Sequence, residues 1–81
     1  MNGLEKVVAA LNNNKELHLS VYTYDEKGKL LEVYTSFDPL TRLDRCMYFA
    51  TECATDKRAH HIVLVAHEPN VFVPTESVKL Y

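Results

Sequence analysis

The sequence predicts an α+β protein in which the elements follow one another as helix, hairpin, helix, hairpin. Three observations support this class: helical spacing of apolar residues in two segments, alternation of apolar and polar residues in the segments after the first helix, and two short turns that contain glycine or asparagine. An αββαββ order is satisfied most simply by one four-stranded antiparallel sheet with both helices on one face. The other face of the sheet would then be open.

Four apolar residues near the N-terminus recur at intervals that place them on one side of a helix: Leu4, Val7, Val8 and Leu11. Asn2 is a suitable N-cap, and Glu5, three residues later, can complete a capping box. Three consecutive asparagines at 12–14 predict the end of this helix, because Asn tolerates the left-handed conformation found at helix C-termini.

Two alternating segments, 16–24 and 29–37, predict a first hairpin with Gly28 in the left-handed position of its loop. The apolar set of the first strand is Leu17, Leu19, Val21 and Thr23. If Asp25 pairs with Lys29, this set lies opposite Leu31, Val33, Thr35 and Phe37, and a one-residue slip would scatter the apolar side chains. In the predicted register the second face carries Tyr22, Tyr24, Leu30 and Tyr34.

The Asp38-Pro39 pair predicts the start of a longer helix that continues to about Lys57. Its predicted apolar stripe is Leu40, Leu43, Met47, Ala50 and Ala54, flanked by Cys46 and Cys53. Away from this stripe, Arg42, Arg45 and Phe49 form a ridge, and arginine and aromatic residues are enriched where interfaces carry their binding energy. The alternative is a solvated face in which Asp38 and Arg42 form an ordinary helical ion pair.

The last third of the chain predicts the second hairpin. His61 to His67 is apolar at nearly every position, which indicates a central strand. Asn70 ends a turn that resembles the first one, and a fourth strand is predicted from Val71 to Val73, with extended structure again from Ser77 to Tyr81. We treat residues 1–81 as a single domain, because a chain of this length is too short for two.

Composition narrows the classes of function. Nine basic and eleven acidic residues give a formal net charge of −2, and nucleic-acid binders usually carry a basic excess. The longest apolar run, 62–66, is too short for a membrane span or a signal peptide, so we expect a cytoplasmic protein. A chain this small has a thin core, which makes a homodimer a reasonable expectation.

The residues that could carry chemistry are widely spaced. Cys46 and Cys53 would lie about 10 Å apart along the helix, too far for a disulfide. His61 and His67 would be about 20 Å apart along a strand, so a metal site would require His18 from a neighbouring strand or a second subunit. With two glycines and no serine in a strand-turn-helix context, we expect no cofactor, no metal and no catalytic residue, although distant residues can assemble a site.

The leading hypothesis is a non-catalytic module that binds another protein, as a regulator or inhibitor. The predicted binding residues are Tyr22, Tyr24, Leu30 and Tyr34 on the open sheet face and Arg42, Arg45 and Phe49 on the helix. One alternative is single-stranded nucleic-acid binding by stacking on the tyrosines, and another is a small enzyme with its site between subunits. A structural alternative also stays open, in which the segment 74–81 covers the tyrosine face.

Overall fold

Two helices and four strands make up the part of the chain that the structure describes, residues 2–56, 58–71 and 73–81. In this computed structural model the elements are α1 Gly3–Asn13, β1 His18–Tyr24, β2 Leu30–Ser36, α2 Arg42–Thr55, β3 His61–His67 and β4 Glu76–Lys79. The predicted αββαββ order is confirmed. The strands form one antiparallel sheet in the order β2-β1-β3-β4, so that β2 and β4 are the outer strands.

Both helices cover the same face of the sheet, as predicted. Helix α1 packs on β3 and β4, and α2 packs mainly on β1 and β2. The core between the layers contains Val7 and Leu11 from α1, Cys46 and Ala50 from α2, and Leu19, Val21, Ile62 and Leu64 from the strands. A side chain at Gly3 would place its Cβ 2.6 Å from Val78 Cγ2, so this glycine permits the close approach of α1 to β4.

The first hairpin has the predicted loop but a different register. Gly28 has a φ of 82°, and Asp25 N donates to Lys29 O at 2.9 Å. Beyond Tyr24 the pairing shifts by one residue at a bulge, where the Thr23 hydroxyl bonds to both backbone polar groups of Glu32. The predicted register of β2 is therefore wrong from this point onward.

The bulge reverses which face each β2 side chain occupies. Val21, which points to the helices, is paired with Tyr34 instead of Val33. Tyr34 therefore lies on the helix side of the sheet, and its predicted place on the open face is wrong. Val33 takes a place on the open face, where Tyr24 and Leu30 are paired as predicted.

Helix α2 begins one turn later than predicted, and its packed side includes the predicted Leu43, Met47 and Ala50 but not the two ends of the predicted stripe. Asp38 instead begins a hydrogen-bonded turn, since its side chain accepts from Leu40 N at 2.9 Å and its carbonyl accepts from Arg42 N at 2.8 Å. The buried residues of α2 are Arg42, Cys46 and Ala50. Leu40 is 90% exposed and Ala54 is exposed, so the predicted apolar stripe is wrong at both positions.

The C-terminal segment extends the sheet. Asn70 has a φ of 61° in a turn closed by Val71 N and Glu68 O, as the sequence predicted for this position. The fourth strand nevertheless begins at Glu76, so the predicted strand is wrong at residues 71 and 73, while Phe72 lies outside the described residues. Because β4 pairs with the edge of β3, it does not cover the tyrosine face, and that structural alternative is wrong.

Candidate functional site

The sheet face that carries no helix combines aromatic, apolar and polar side chains. Cross-strand pairing assigns to this open face His18, Ser20, Tyr22 and Tyr24 of β1, Leu30, Val33 and Thr35 of β2, His61, Val63, Val65 and His67 of β3, and Ser77 and Lys79 of β4. Tyr22 and Tyr24 are half-buried, whereas Leu30 and Val33 are 48% and 46% exposed. Three predicted binding residues, Tyr22, Tyr24 and Leu30, thus lie together on this face.

A hollow of about 290 Å³ lies in the open face where β1, β2 and β3 meet the turn at 70–71. Its apolar lining is Tyr22, Val33, Val65 and Val71, and its polar lining is His18, Ser20, Thr35, His67 and Asn70. The left-handed conformation of Asn70 turns the chain back at this point, so that residues 70 and 71 form one wall of the hollow. Several polar groups therefore converge on a partly apolar depression, which is the usual make-up of a binding site.

The polar residues of the hollow form one hydrogen-bonded chain across three strands. Ser20 Oγ lies 2.7 Å from His67 Nε2 and 2.7 Å from Thr35 Oγ1. The other ring nitrogen, His67 Nδ1, is 2.9 Å from the carbonyl oxygen of Glu68. Because a carbonyl can only accept, Nδ1 carries the proton, and in the neutral ring Nε2 then accepts from Ser20 while Thr35 donates to Ser20.

Ser20 is bonded to His67, and the carbonyl of Glu68 orients the His67 ring, which is the arrangement of an activated nucleophile. Ser20 is only 1% exposed, however, and its hydroxyl already uses both neighbours. A substrate carbonyl carbon would have to reach Oγ through the packed side chains around it. In this conformation the Ser20–His67 contact therefore serves to tie β1 to β3, and we interpret it as structural.

The two histidines at this end of the sheet also lie close together. His18 and His67 are paired across β1 and β3, with ring centroids 5.8 Å apart, and Phe37 lies 5.5 Å from the His18 ring. The pairing of histidines on neighbouring strands that a metal site would require is therefore present, and it brings together two possible ligands, His18 and His67. Within residues 2–56, 58–71 and 73–81, no group of three or more His, Cys, Asp or Glu residues is placed to hold a metal ion.

Three other predicted binding residues meet on the opposite side of the sheet. The rings of Tyr34 and Phe49 stack with centroids 5.0 Å apart and an interplanar angle of 20°. Together with Arg45 they line a groove of about 610 Å³ between β2 and α2, whose remaining lining is Thr41, Asp44, Tyr48 and Glu52. Glu52 raises the pKa of the Tyr48 phenol, mainly by accepting its hydrogen bond.

Arg42 has a role that the sequence did not indicate. The residue is 3% exposed, and its guanidinium donates to the carbonyl oxygens of Leu11, Leu17 and Lys15 at 2.7, 2.6 and 2.9 Å. Its predicted place on an exposed ridge is therefore wrong. Burial lowers the pKa of the Arg42 guanidinium, but an arginine side chain stays charged at neutral pH.

The sequence missed the Ser20–His67 contact and the α2 groove because both depend on residues that are distant in the chain. The contact requires β1 and β3 to be neighbours, and the groove requires the bulge in β2 that moves Tyr34 to the helix side. One signal was present for the histidines, since His18 lies near the start of one predicted strand and His67 at the end of another, and such ends meet when antiparallel strands are neighbours. The adjacent leucines at 30 and 31 break the alternation of β2 and are the corresponding signal for the bulge.

No protein-family model matches this chain, and neither a curated protein nor a solved structure matches it. Within the described residues, no helix is both long and apolar enough to cross a membrane. The function proposed below therefore depends on the surfaces of this chain alone.

Proposed function

We propose that this chain is a small non-catalytic protein-binding module that holds its partner on the open face of the sheet. One observation supports the proposal above all: the face without helices carries a hollow with apolar walls and converging polar groups, beside the half-buried Tyr22 and Tyr24. Tyrosines at such a position provide rigid contact area with a polar end. Such a module would act by occupying a surface of a larger protein, as a regulator or inhibitor.

The size of the hollow favours a protein partner over a small molecule. Its volume of about 290 Å³ lies at the lower limit of the range of roughly 300–1,000 Å³ typical of small-molecule pockets. The exposed Leu30 and Val33 on the same face would remain in water around a small ligand. A protein segment can instead place one side chain in the hollow and cover the flanking apolar surface, as interfaces with a central anchor do.

Charge indicates the chemistry of this partner. Of the strand residues assigned to the open face, all of which the structure describes, none is Asp or Glu, although the whole chain has a net charge of −2. Lys79 and three histidines lie on the face, so its charge is neutral to positive. The fitting partner is therefore a segment with an apolar anchor flanked by acidic side chains.

The test compares what the wild-type chain and matched variants retain from an extract of the native host. Val33→Glu adds a carboxylate at an exposed position beside the hollow, and we expect it to fold normally and lose the partner. Ala54→Glu makes the same change of charge at an exposed position of α2 and should retain the partner. The captured protein must then bind the wild-type chain directly after purification, and retention by both variants would contradict the proposal.

A second function is favoured by the same face. Half-buried tyrosines on a face whose assigned strand residues include no Asp or Glu could stack bases of single-stranded nucleic acid. This function would need a basic groove along the backbone of the strand, and Lys79 is the one lysine or arginine among the assigned residues of the face. Fluorescence anisotropy with a labelled oligothymidine at rising salt distinguishes the two, because nucleic-acid binding weakens steeply with salt.

A further inference from the structure

We propose that two copies of this chain associate through the edge of β2 and the groove beside α2, which leaves the open sheet face free. The proposal rests on a different surface from the protein-binding function and does not depend on it. It starts from the position of β2, which pairs with β1 on one side and has no strand on the other among the described residues. An outer strand of this kind presents unpaired backbone groups that a second strand can use.

The exposed apolar side chains concentrate along this edge. Leu31 of β2 is 39% exposed, and Phe37 and Leu40, which follow β2 in the chain, are 68% and 90% exposed. On the helix side of the same edge, Tyr48 is 70% exposed in the groove beside Tyr34 and Phe49. The other outer strand, β4, ends in Lys79 and is short, which is how sheet edges are commonly protected from pairing. β2 is longer, with seven residues, and its unprotected part is residues 33–36, because the bulge between residues 30 and 32 and the charged Glu32 protect the end next to the loop.

The charges of the groove favour a second copy over an unrelated partner. Arg45 and Glu52 line the same groove, and Glu52 follows Arg45 by seven positions, which is about two helical turns or 10 Å. Tyr48 and Phe49 lie between them. When two α2 helices run antiparallel beside each other about a twofold axis, Arg45 of each copy comes opposite Glu52 of the other copy. The two Arg45–Glu52 pairs thus complement each other across the axis, with the aromatic residues at the centre, and Asp44, which also lines the groove, adds one unmatched negative charge on each copy.

Pairing of β2 with β2 of the second copy fits the same axis. Antiparallel pairing of two outer strands about a twofold axis perpendicular to the sheet continues the sheet and places the two α2 helices on the same side. The apolar residues of the edge and Tyr48 would then leave water together. The hollow with Ser20 and His67 would remain accessible on the opposite face of each copy.

Charge reversal tests the helix contact. In sedimentation equilibrium we expect the wild-type chain to form a concentration-dependent dimer. The single variants Arg45→Glu and Glu52→Arg should each dimerise about tenfold more weakly, because each places two pairs of like charges together in the dimer. The double variant Arg45→Glu/Glu52→Arg should restore dimerisation. A wild-type chain that stays monomeric, or a double variant as weak as the single ones, would overturn the proposal.

Hydrogen exchange tests the strand contact on the unmodified chain. Amides of β2 should become slower to exchange as the protein concentration rises, whereas those of β4, the other outer strand, should stay unchanged. Protection of β4 instead of β2 would refute the assignment of the edge. Capture of a partner through the open face should survive Arg45→Glu, so failure of the dimer and failure of the proposed function give different results.

Discussion

Replacing Arg42 with methionine should destabilise the protein more than any surface change. The guanidinium donates to three carbonyl oxygens, and its bonds to Leu11 and Leu17 are buried. Leu11 lies in the last turn of α1, where carbonyls have no partner within the helix, so Arg42 also places a positive charge at the negative end of that helix. Methionine retains most of the side-chain volume but donates no hydrogen bond.

The magnitude follows from the groups that Arg42→Met leaves without donors. A buried acceptor without a partner costs about 1–3 kcal/mol, and two of the three carbonyls are in fully buried contacts. The expected loss is therefore about 3–5 kcal/mol, from a total free energy of unfolding of roughly 5–10 kcal/mol for a chain of this size. Urea unfolding followed by circular dichroism measures it directly.

The matched control is Arg58→Met. The Arg58 side chain is 76% exposed and forms an ion pair with Asp56 at 2.9 Å, a kind of contact worth about 0–1 kcal/mol. If Arg42→Met lowered the free energy of unfolding no more than Arg58→Met does, the bonds from Arg42 would not support the structure as described. A fall of the expected size at Arg42 alone would establish α2 as the element that connects the end of α1 to the start of β1.

Two further predictions concern the loop and the buried thiol. Gly28→Val should lower the free energy of unfolding by about 1 kcal/mol or more, because Gly28 has a φ of 82°, which a β-branched residue resists. A Cβ added at Gly28 would meet nothing within 4 Å, so the cost is conformational and not steric. Lys27→Ala is the control and should be nearly neutral in the same urea titration. Burial raises the pKa of the Cys46 thiol from 9.0 to about 11, so the folded state favours the neutral thiol. The free energy of unfolding should therefore fall by on the order of 2 kcal/mol as the pH rises from about 9 to 11. The free energy of unfolding of Cys46→Ala should fall less over that pH range, and an equal fall would contradict the assignment of the pH dependence to Cys46. Burial also raises the pKa of Cys53, which accounts for part of the pH dependence that remains in the variant.

The elements of this fold follow from local patterns. Helical spacing at Val7 and Leu11, alternation along β1, and the left-handed residues Gly28 and Asn70 each depend on neighbours in the chain, and the structure agrees with each prediction. The αββαββ order and the location of both helices on one face follow from these elements, because each has one apolar side to bury.

The predictions that failed depend on contacts between distant residues. The hydroxyl of Thr23 bonds to the backbone of Glu32, and the resulting bulge moves Tyr34 to the helix side of the sheet. No periodicity in α2 distinguishes a solvated arginine from Arg42, because the carbonyls that accept its hydrogen bonds belong to α1 and to the segment between α1 and β1. Two of the three predicted tyrosines, Tyr22 and Tyr24, are correctly placed on the open face, because they belong to the strand without the bulge.

The most direct measurement of the central claim is the affinity of the purified partner for the wild-type chain and for Val33→Glu, by titration calorimetry. Val33 is exposed and lines the hollow, so the variant changes the proposed binding surface with little effect on the core. A charge placed among the anchors of an interface costs about 2 kcal/mol or more, so we predict binding weaker by roughly thirtyfold, with a melting temperature like that of the wild-type chain. Equal affinities for the two proteins would show that the partner does not bind to the open face of the sheet.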